Sequence, residues 1–327
     1  MKRITTAAIT AGAFAGAGVA ASLLRRQRIV QRRRHLGGDA PFGSVRGDRY
    51  TVEAADGVAI NVEVDEPDPD GDADLTIVFV HGWMCDQDTW HFQRLHLRGS
   101  ARLVFVDQRG HGASGASSAT GSSLAHLADD LARVIREHGK GRVVVVGHSM
   151  GGMATMQLAA DHPELFGGTV VGVALVGTSA GRLMRGTPAL ERMAWLVRRA
   201  GPVLDWGRAF NSESVIRRWA VGPDADPARA AMVDEMIARA PSRVVVDFYP
   251  NFPSLDLFEA LSTLADVPVT VVCGTADLLT PPKHSRRLAE AIDGARLVLV
   301  EGAGHMVMLE KPREVDDAID DLIGQVG

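Results

Sequence analysis

Short, uninterrupted apolar runs recur along the chain and are separated by segments that contain polar positions. Such runs are typical of strands buried on both faces, as in a parallel sheet that is flanked by helices. Before them, residues 49–54 and 58–64 alternate around Asp56-Gly57 and predict a hairpin. The apolar runs lie at residues 75–80, 103–106, 143–146, 170–176, 267–272 and 297–300.

The segments between these runs carry apolar residues at helical spacing. In residues 124–138 the apolar positions recur with a period near 3.6. Prolines precede two further segments of this kind, 284–292 and 313–323, and proline is favoured in the first turn of a helix. Strands that alternate with helices predict the α/β class, with a mostly parallel sheet between layers of helices.

Residues 181–264 break this alternation, because they contain helical stretches but no strand pattern. Examples of these stretches are residues 190–200 and 228–240. An all-helical block between two sheet strands predicts an inserted cap over the carboxyl ends of the strands, where open α/β sheets bind ligands. We therefore expect an N-terminal segment, a core in two pieces and a helical cap, at residues 1–47, 48–180 with 265–327, and 181–264.

The composition is that of an ordinary globular protein, with 46% hydrophobic and 23% charged residues among 327. The net charge of -5 gives no indication of a nucleic-acid partner, and we expect none. The two cysteines, Cys85 and Cys273, match no metal or disulfide spacing, so we expect both to be small buried hydrophobes.

The N-terminus differs in charge from the rest of the chain. Residues 4–24 are uncharged and long enough to span a bilayer, and residues 25–34 contain six arginines and no acid. Because the more basic flank stays in the cytoplasm, we expect a membrane-associated anchor with the body of the protein in the cytoplasm. A cleaved signal peptide followed by export, and a disordered tail, are the alternatives.

A candidate nucleophile lies directly after the run at 143–146. Residues Gly147 to Gly151 read G-H-S-M-G and are followed by a helix-compatible stretch. A G-x-S-x-G motif between a strand and a helix is the nucleophile elbow, in which a strained turn presents the serine. We predict that Ser149 is the nucleophile and that Gly147 and Gly151 allow the backbone segments to approach closely.

Two further candidates follow later strands. Asp277 comes after the run at 267–272, and His305 lies on a glycine-rich loop after the run at 297–300. A serine hydroxyl needs a base to remove its proton, and the chain order Ser, Asp, His at separate strand ends matches a catalytic triad. We predict that His305 is the base and that Asp277 orients it.

The oxyanion of such a reaction needs hydrogen-bond donors. Gly82 lets the backbone turn after an apolar run, so that the Trp83 N–H can point into the pocket beside the Met150 N–H. For His81 we expect a structural hydrogen bond rather than proton transfer. For residues 107–112 we expect a loop that charge pairing makes rigid.

From about Asp48 to its end, the chain resembles the α/β-hydrolase superfamily, and its composition resembles that of actinobacterial members. Five blocks in order carry the resemblance: FVHGW at 79–83, DQRGHGAS at 107–114, GHSMGG at 147–152, GTAD at 274–277 and EGAGHMVMLEKP at 301–312. The resemblance implies an eight-stranded, mostly parallel sheet with a helical cap inserted after the sixth strand. It also implies Ser149 as nucleophile, Asp277 as acid, His305 as base, and Trp83 and Met150 as oxyanion donors.

The expected activity is hydrolysis of a small-molecule carboxylic ester through an acyl-enzyme, without metal or cofactor. The apolar composition of the cap favours an apolar acyl group, although most of these residues can equally pack the cap onto the core. A serine at the elbow disfavours epoxide hydrolases and haloalkane dehalogenases, which use aspartate there. Thioesterase, C–C bond hydrolase, lactonase and cofactor-free haloperoxidase or perhydrolase activities stay open on the same triad, as does a non-catalytic ligand-binding protein.

Overall fold

The apolar runs form eight strands in the structure, a computed structural model that describes residues 40–118, 120–181, 183 and 219–327. Each predicted run lies within a strand or overlaps one, and the predicted hairpin is formed by the first two strands. The strands are β1 (Asp48–Glu53), β2 (Ala59–Asp65), β3 (Asp72–Val80), β4 (Ala101–Val106), β5 (Arg142–His148), β6 (Val170–Val176), β7 (Val269–Gly274) and β8 (Arg296–Val300).

The strands pair into one sheet in the order β1-β2-β4-β3-β5-β6-β7-β8. β1 and β2 are antiparallel to each other, and β2 is antiparallel to β4, whereas all later pairs are parallel. In the centre, Val78 of β3 pairs with Val104 of β4 on one side and with Val145 of β5 on the other. The predicted eight-stranded, mostly parallel sheet is confirmed.

Helices flank the sheet, and the predicted α/β class is confirmed. The helices among the described residues are α1 (His91–Leu97), α2 (Leu124–His138), α3 (Met150–Asp161), α4 (Pro227–Arg239), α5 (Ser242–Phe248), α6 (Leu261–Leu264), α7 (Pro282–Ala291), α8 (Val307–Glu310) and α9 (Pro312–Val326). Four short 3-10 helices lie at Gln87–Trp90, Pro163–Leu165, Tyr249–Asn251 and Phe258–Ala260.

The helix ends follow local sequence signals. Ser123 caps α2, because its hydroxyl accepts a hydrogen bond from the His126 N–H and satisfies one donor of the first turn. Asp226 does the same for α4 through the Ala228 N–H, and Pro227 is the first residue of that helix. α9 packs against β6, β7 and α1, whereas α2 packs against α3.

The segment predicted as a cap is helical where the structure describes it. Between residues 219 and 264 the described chain forms α4, α5, α6 and two 3-10 helices, and the described part of this segment contains no strand. One isolated bridge joins Gly181 to Asp256. The predicted helix at 190–200 lies outside the described residues, so the boundaries of the cap stay a prediction.

Backbone contacts divide the chain into two units, Met1–Ser44 and Val45–Gly327. All strands and helices named above belong to the second unit. Within residues 40–118, 120–181, 183 and 219–327, no helix combines the length and apolar character needed to cross a membrane. The predicted anchor at residues 4–24 lies outside these ranges.

Candidate active site

Ser149 stands on a sharp turn between the end of β5 and the start of α3. Its φ of 51° lies in the left-handed region, which is strained for serine. The turn is also crowded: a Cβ on Gly147 would lie 2.8 Å from the Gly151 carbonyl oxygen, and one on Gly151 would lie 2.3 Å from the Val80 oxygen. The Ser149 N–H donates to the Val176 carbonyl at 2.9 Å, which ties the turn to β6.

The side chains of Asp277 and His305 form a pair at one edge of the sheet, where Asp277 follows β7 and His305 follows the neighbouring strand β8. The His305 Nδ1–H donates to Asp277 Oδ2 at 2.9 Å, and both side chains are buried. Burial alone would raise the pKa of Asp277. The positive charge of a protonated His305, together with the hydrogen bonds that Asp277 accepts from His305 and Thr280, outweighs burial and lowers the pKa of Asp277 to about 2. An ionised Asp277 favours the tautomer in which His305 Nε2 is the basic nitrogen.

Thr280 and the backbone before it also donate hydrogen bonds to Asp277. The Leu279 and Thr280 N–H groups both donate to Asp277 Oδ1 at 2.8 Å, and the Thr280 hydroxyl donates to Oδ2 at 2.7 Å. Thr280 was not among the site residues predicted from the sequence. Its signal is local, since an aspartate commonly accepts hydrogen bonds from the backbone two and three residues further on.

Ser149 and His305 line one cavity of about 280 Å³. None of the described residues that line this cavity is an aspartate, glutamate, lysine or arginine. Cys85 also lines it, and burial raises the pKa of its thiol to about 12, so that it is a neutral thiol at physiological pH. The described lining residues are Trp83, Met84, Cys85, His148, Ser149, Leu183, Trp219, Ala220, Ile237, Phe252, Leu279, Thr280, His305 and Met306.

The loop that carries the Trp83 N–H is fixed on both sides of Trp83. A Cβ on Gly82 would lie 2.7 Å from His148 Nδ1, so only glycine fits there without a shift. On the other side, Met84 has a φ of 61° and its N–H donates to His111 Nε2 at 3.2 Å. The Trp83 side chain donates from Nε1 to the Val244 carbonyl of α5 at 3.0 Å.

The other predicted oxyanion donor, Met150, is the first residue of α3. The first N–H groups of a helix have no acceptor within the helix, so the Met150 N–H is available to a ligand at the elbow. Met150 directly follows Ser149 in the chain, and Trp83 lies in the wall of the cavity that Ser149 lines. These positions suit a pair of donors to an oxyanion.

His81 and His111 support this loop as neutral side chains. The His81 Nδ1–H donates to the Gly82 carbonyl at 2.7 Å, and Nε2 accepts from the Gln108 N–H at 3.0 Å. The His111 Nδ1–H donates to the Arg109 carbonyl at 3.0 Å. Burial lowers the pKa of His81 to about 4 and that of His111 to about 3, so neither ring carries charge at neutral pH.

Residues 107–112 are held by two different kinds of contact. Asp107 accepts hydrogen bonds from the Gln87 and Ala113 N–H groups at 2.9 Å each. Arg109 instead forms ion pairs, at 2.6 Å to Asp130 and 2.8 Å to Asp56. These contacts fix residues 107–112, which include His111 and the Gln108 N–H that donates to His81.

Two more residues near the site were not anticipated from the sequence. The buried His148 donates from Nε2 to the His305 carbonyl at 3.2 Å, and burial, together with the neighbouring His305, lowers its pKa well below the usual value. Glu310 accepts a hydrogen bond from the Gly304 N–H at 3.0 Å. Adjacency to Ser149 was a signal for His148, whereas the spacing from His305 to Glu310 indicated no partner.

Among the described residues, no group of three or more His, Cys, Asp or Glu is placed to hold a metal ion.

The order of the sheet, the elbow after β5 and the His305–Asp277 pair define the class of α/β hydrolases. The chain belongs to the alpha/beta hydrolase family, whose family model matches residues 77–318. The chain is accordingly a member of a hydrolase superfamily, as the resemblance of its motifs implied.

Solved structures share this fold over nearly their whole length. A thermophilic esterase from Thermogutta terrifontis is 25% identical, with a TM-score of 0.69 over 86% of this chain and 99% of its own. Est816, described as an N-acyl homoserine lactone degrading enzyme, is 26% identical, with a TM-score of 0.64 over 83% and 99%.

A curated relative matches a shorter stretch. The dihydrolipoyllysine-residue acetyltransferase component of the acetoin cleaving system of Cupriavidus necator is 42% identical over 101 residues. That match covers 31% of this chain and 26% of the relative. The chain therefore spans about a quarter of the length of this relative.

Proposed function

We propose that this protein is a serine hydrolase that cleaves uncharged carboxylic esters with an apolar acyl group. The observation that carries the proposal is that Ser149, on its strained elbow, and His305, bonded to Asp277, line one apolar cavity. The similarity to solved esterases supports the same chemistry.

In the proposed reaction, His305 Nε2 removes the proton from the Ser149 hydroxyl as the serine oxygen attacks the ester carbonyl. The carbonyl oxygen becomes an oxyanion and accepts hydrogen bonds from the Trp83 and Met150 N–H groups. His305 then gives its proton to the leaving alcohol, and an acyl-enzyme forms on Ser149. Water attacks this ester by the same route and releases the acid.

The lining of the cavity supports the choice of substrate. A bound carboxylate or ammonium group would need a buried charged or strongly polar partner. The described lining offers instead the side chains of Trp83, Ile237, Phe252, Leu279 and Met306, besides the polar groups next to Ser149. An acyl group without charge fits this surface.

The decisive experiment is turnover of p-nitrophenyl esters and labelling by a fluorophosphonate probe. We expect Ser149→Ala to abolish both while the circular dichroism spectrum is unchanged. The exposed Ser254 gives the control variant Ser254→Ala, which we expect to behave as wild type. Labelling or turnover by Ser149→Ala at the wild-type level would overturn the proposal.

Lactone hydrolysis is the second candidate, since a lactone is a cyclic ester and Est816 shares the fold at 26% identity. A panel of linear esters of increasing acyl length, thioesters, lactones, diketones and peroxide substrates separates these activities. Labelling of Ser149 without turnover of linear esters would favour one of the other substrates. A folded protein that neither reacts with the probe nor turns over any substrate would be a ligand-binding protein.

We also propose that residues 4–24, with the arginines that follow, hold the enzyme at the membrane with its body in the cytoplasm. The support is the uncharged stretch and the basic flank in the sequence. Fractionation of cells and sequencing of the mature N-terminus test this. An N-terminus that begins after residue 21, in a protein found outside the cell, would show export instead.

A further inference from the structure

Glu310 joins two backbone segments that are far apart in the sequence. It is the last residue of α8, and its side chain is half-buried. Its Oε1 accepts a hydrogen bond from the Gly304 N–H at 3.0 Å, and its Oε2 accepts one from the Gly222 N–H at 2.7 Å. One carboxylate therefore binds the residue before His305 and a residue of the segment that leads into α4.

The two segments that Glu310 joins lie in direct backbone contact. A Cβ on Gly222 would lie 2.1 Å from the Gly302 carbonyl oxygen, and one on Gly304 would lie 2.4 Å from the Gly222 nitrogen. The Met306 N–H also donates to the Ala220 carbonyl at 3.0 Å. Because the glycines leave no room for side chains between the two segments, their backbones touch, and hydrogen bonds fix their relative position.

Both segments contribute to the cavity. Trp219 and Ala220 line it from one segment, and His305 and Met306 line it from the other. A shift of one segment against the other would therefore move the predicted base relative to Ser149 and would move the apolar wall at the same time. Each carboxylate oxygen of Glu310 accepts a hydrogen bond from one of these two segments, Oε1 from the Gly304 N–H and Oε2 from the Gly222 N–H.

We propose that Glu310 is a positioning residue that holds the His305 loop against residues 219–222, and so sets both the base and the wall of the acyl pocket. This proposal rests on the proposed esterase function for its catalytic part. Its geometric part, the clamp between Gly222 and Gly304, does not depend on any activity.

The test compares wild type with Glu310→Gln, which keeps the size of the side chain but turns one acceptor oxygen into an amide donor facing an N–H group. We expect kcat for p-nitrophenyl esters to fall about 10- to 100-fold, since small displacements of catalytic groups have effects of this order. We expect KM to rise more for long than for short acyl groups, because the wall moves with the base. Glu314→Gln, an exposed glutamate of α9, is the matched control and should retain wild-type kinetics.

Two measurements separate this inference from the proposed function. Active-site titration with the fluorophosphonate probe gives the fraction of folded, reactive enzyme, so that a loss of kcat is not confused with a loss of protein. Hydrogen exchange at the Gly222 and Gly304 amides reports the clamp itself, and we expect both to exchange faster in Glu310→Gln. An inactive, unlabelled wild type would refute the esterase, and hydrogen exchange would still decide the clamp.

Unchanged exchange at both amides would overturn the clamp. If exchange accelerates but the kinetics of fully titrated Glu310→Gln equal those of wild type, Glu310 is a structural link only, and the positioning role is wrong. A drop in kcat that is the same for all acyl lengths, with no change in KM, would retain the role toward His305 and refute the role toward the pocket wall.

Discussion

Arg239, at the end of α4, donates to the Asp88 carboxylate at 2.7 Å and also pairs with Asp86 at 2.9 Å. The two aspartates follow the loop that holds Trp83 and Cys85 in the cavity wall. The Asp88 side chain is 4% exposed and the Asp86 side chain is 12% exposed, so each depends on a partner for its charge. This pairing links α4, a helix of the segment predicted as a cap, to the loop after β3 in the core.

Removal of this cation should destabilise the fold. In Arg239→Ala the buried Asp86 loses the cation it pairs with, whereas Asp88 keeps Arg46 at 2.8 Å, and we expect the free energy of unfolding to fall by about 3 kcal/mol. Urea denaturation at neutral pH measures the change. Arg296→Ala is the control, because Arg296 and its partner Asp321 are both about half exposed, and its stability should equal that of wild type. Equal midpoints for the two variants would contradict the prediction.

Asp277 should make stability depend on pH in a defined window. Its pKa is lowered from 3.8 to about 2, so its contribution to stability is complete above about pH 4 and is lost as the pH falls towards 2. The size of the contribution is about 2 kcal/mol. Urea denaturation of wild type and Asp277→Asn between pH 2 and 6 measures it. The stability difference between the two proteins should shrink below pH 4, and a constant difference would contradict the argument.

Two glycines should respond in opposite ways to a methyl group. Gly151→Ala would place a Cβ 2.3 Å from the Val80 oxygen, so we expect a loss of stability of about 2 kcal/mol. Gly324 lies inside α9 with no atom within 4 Å of an added Cβ, and alanine is the better helix former by about 1 kcal/mol. Thermal unfolding should therefore give a lower Tm for Gly151→Ala and a higher Tm for Gly324→Ala than for wild type.

The strain at Ser149 should be visible as a difference in stability between two variants that lack its hydroxyl. Glycine tolerates a φ of 51°, whereas alanine keeps the steric conflict of any side chain there. We expect Ser149→Gly to be more stable than Ser149→Ala by about 1 kcal/mol. Chemical denaturation of both variants in parallel is sufficient, and an alanine variant as stable as the glycine variant would mean that the elbow stores no strain.

Strands and strand ends could be predicted from the sequence because their signals are local. The run at 143–146 marked β5, and the five-residue motif after it marked the elbow, so Ser149 could be placed at the carboxyl end of a strand. The same reasoning placed Asp277 after β7 and His305 after β8, and parallel strands bring such residues to one edge of the sheet.

Contacts between loops could not be predicted in this way. Glu310 binds Gly222, 88 positions earlier, and Arg239 binds Asp88, 151 positions earlier. Neither pair follows from a period or a motif, because each depends on how two irregular segments lie against each other after the sheet has formed. The role of His111 in holding the Met84 N–H was missed for the same reason, although its loop was recognised as structural.

Among the described strands, β8, which precedes His305, lies at the edge of the sheet and pairs with β7 alone. The proposed nucleophile therefore follows a central strand, β5, whereas the proposed base follows an edge strand that comes later in the chain. A chain that has folded only as far as β6 has Ser149 in place but not Asp277 or His305, so we expect it not to react with a fluorophosphonate probe. With the proposed triad, recovery of probe labelling during refolding would report when β7 and β8 join the sheet.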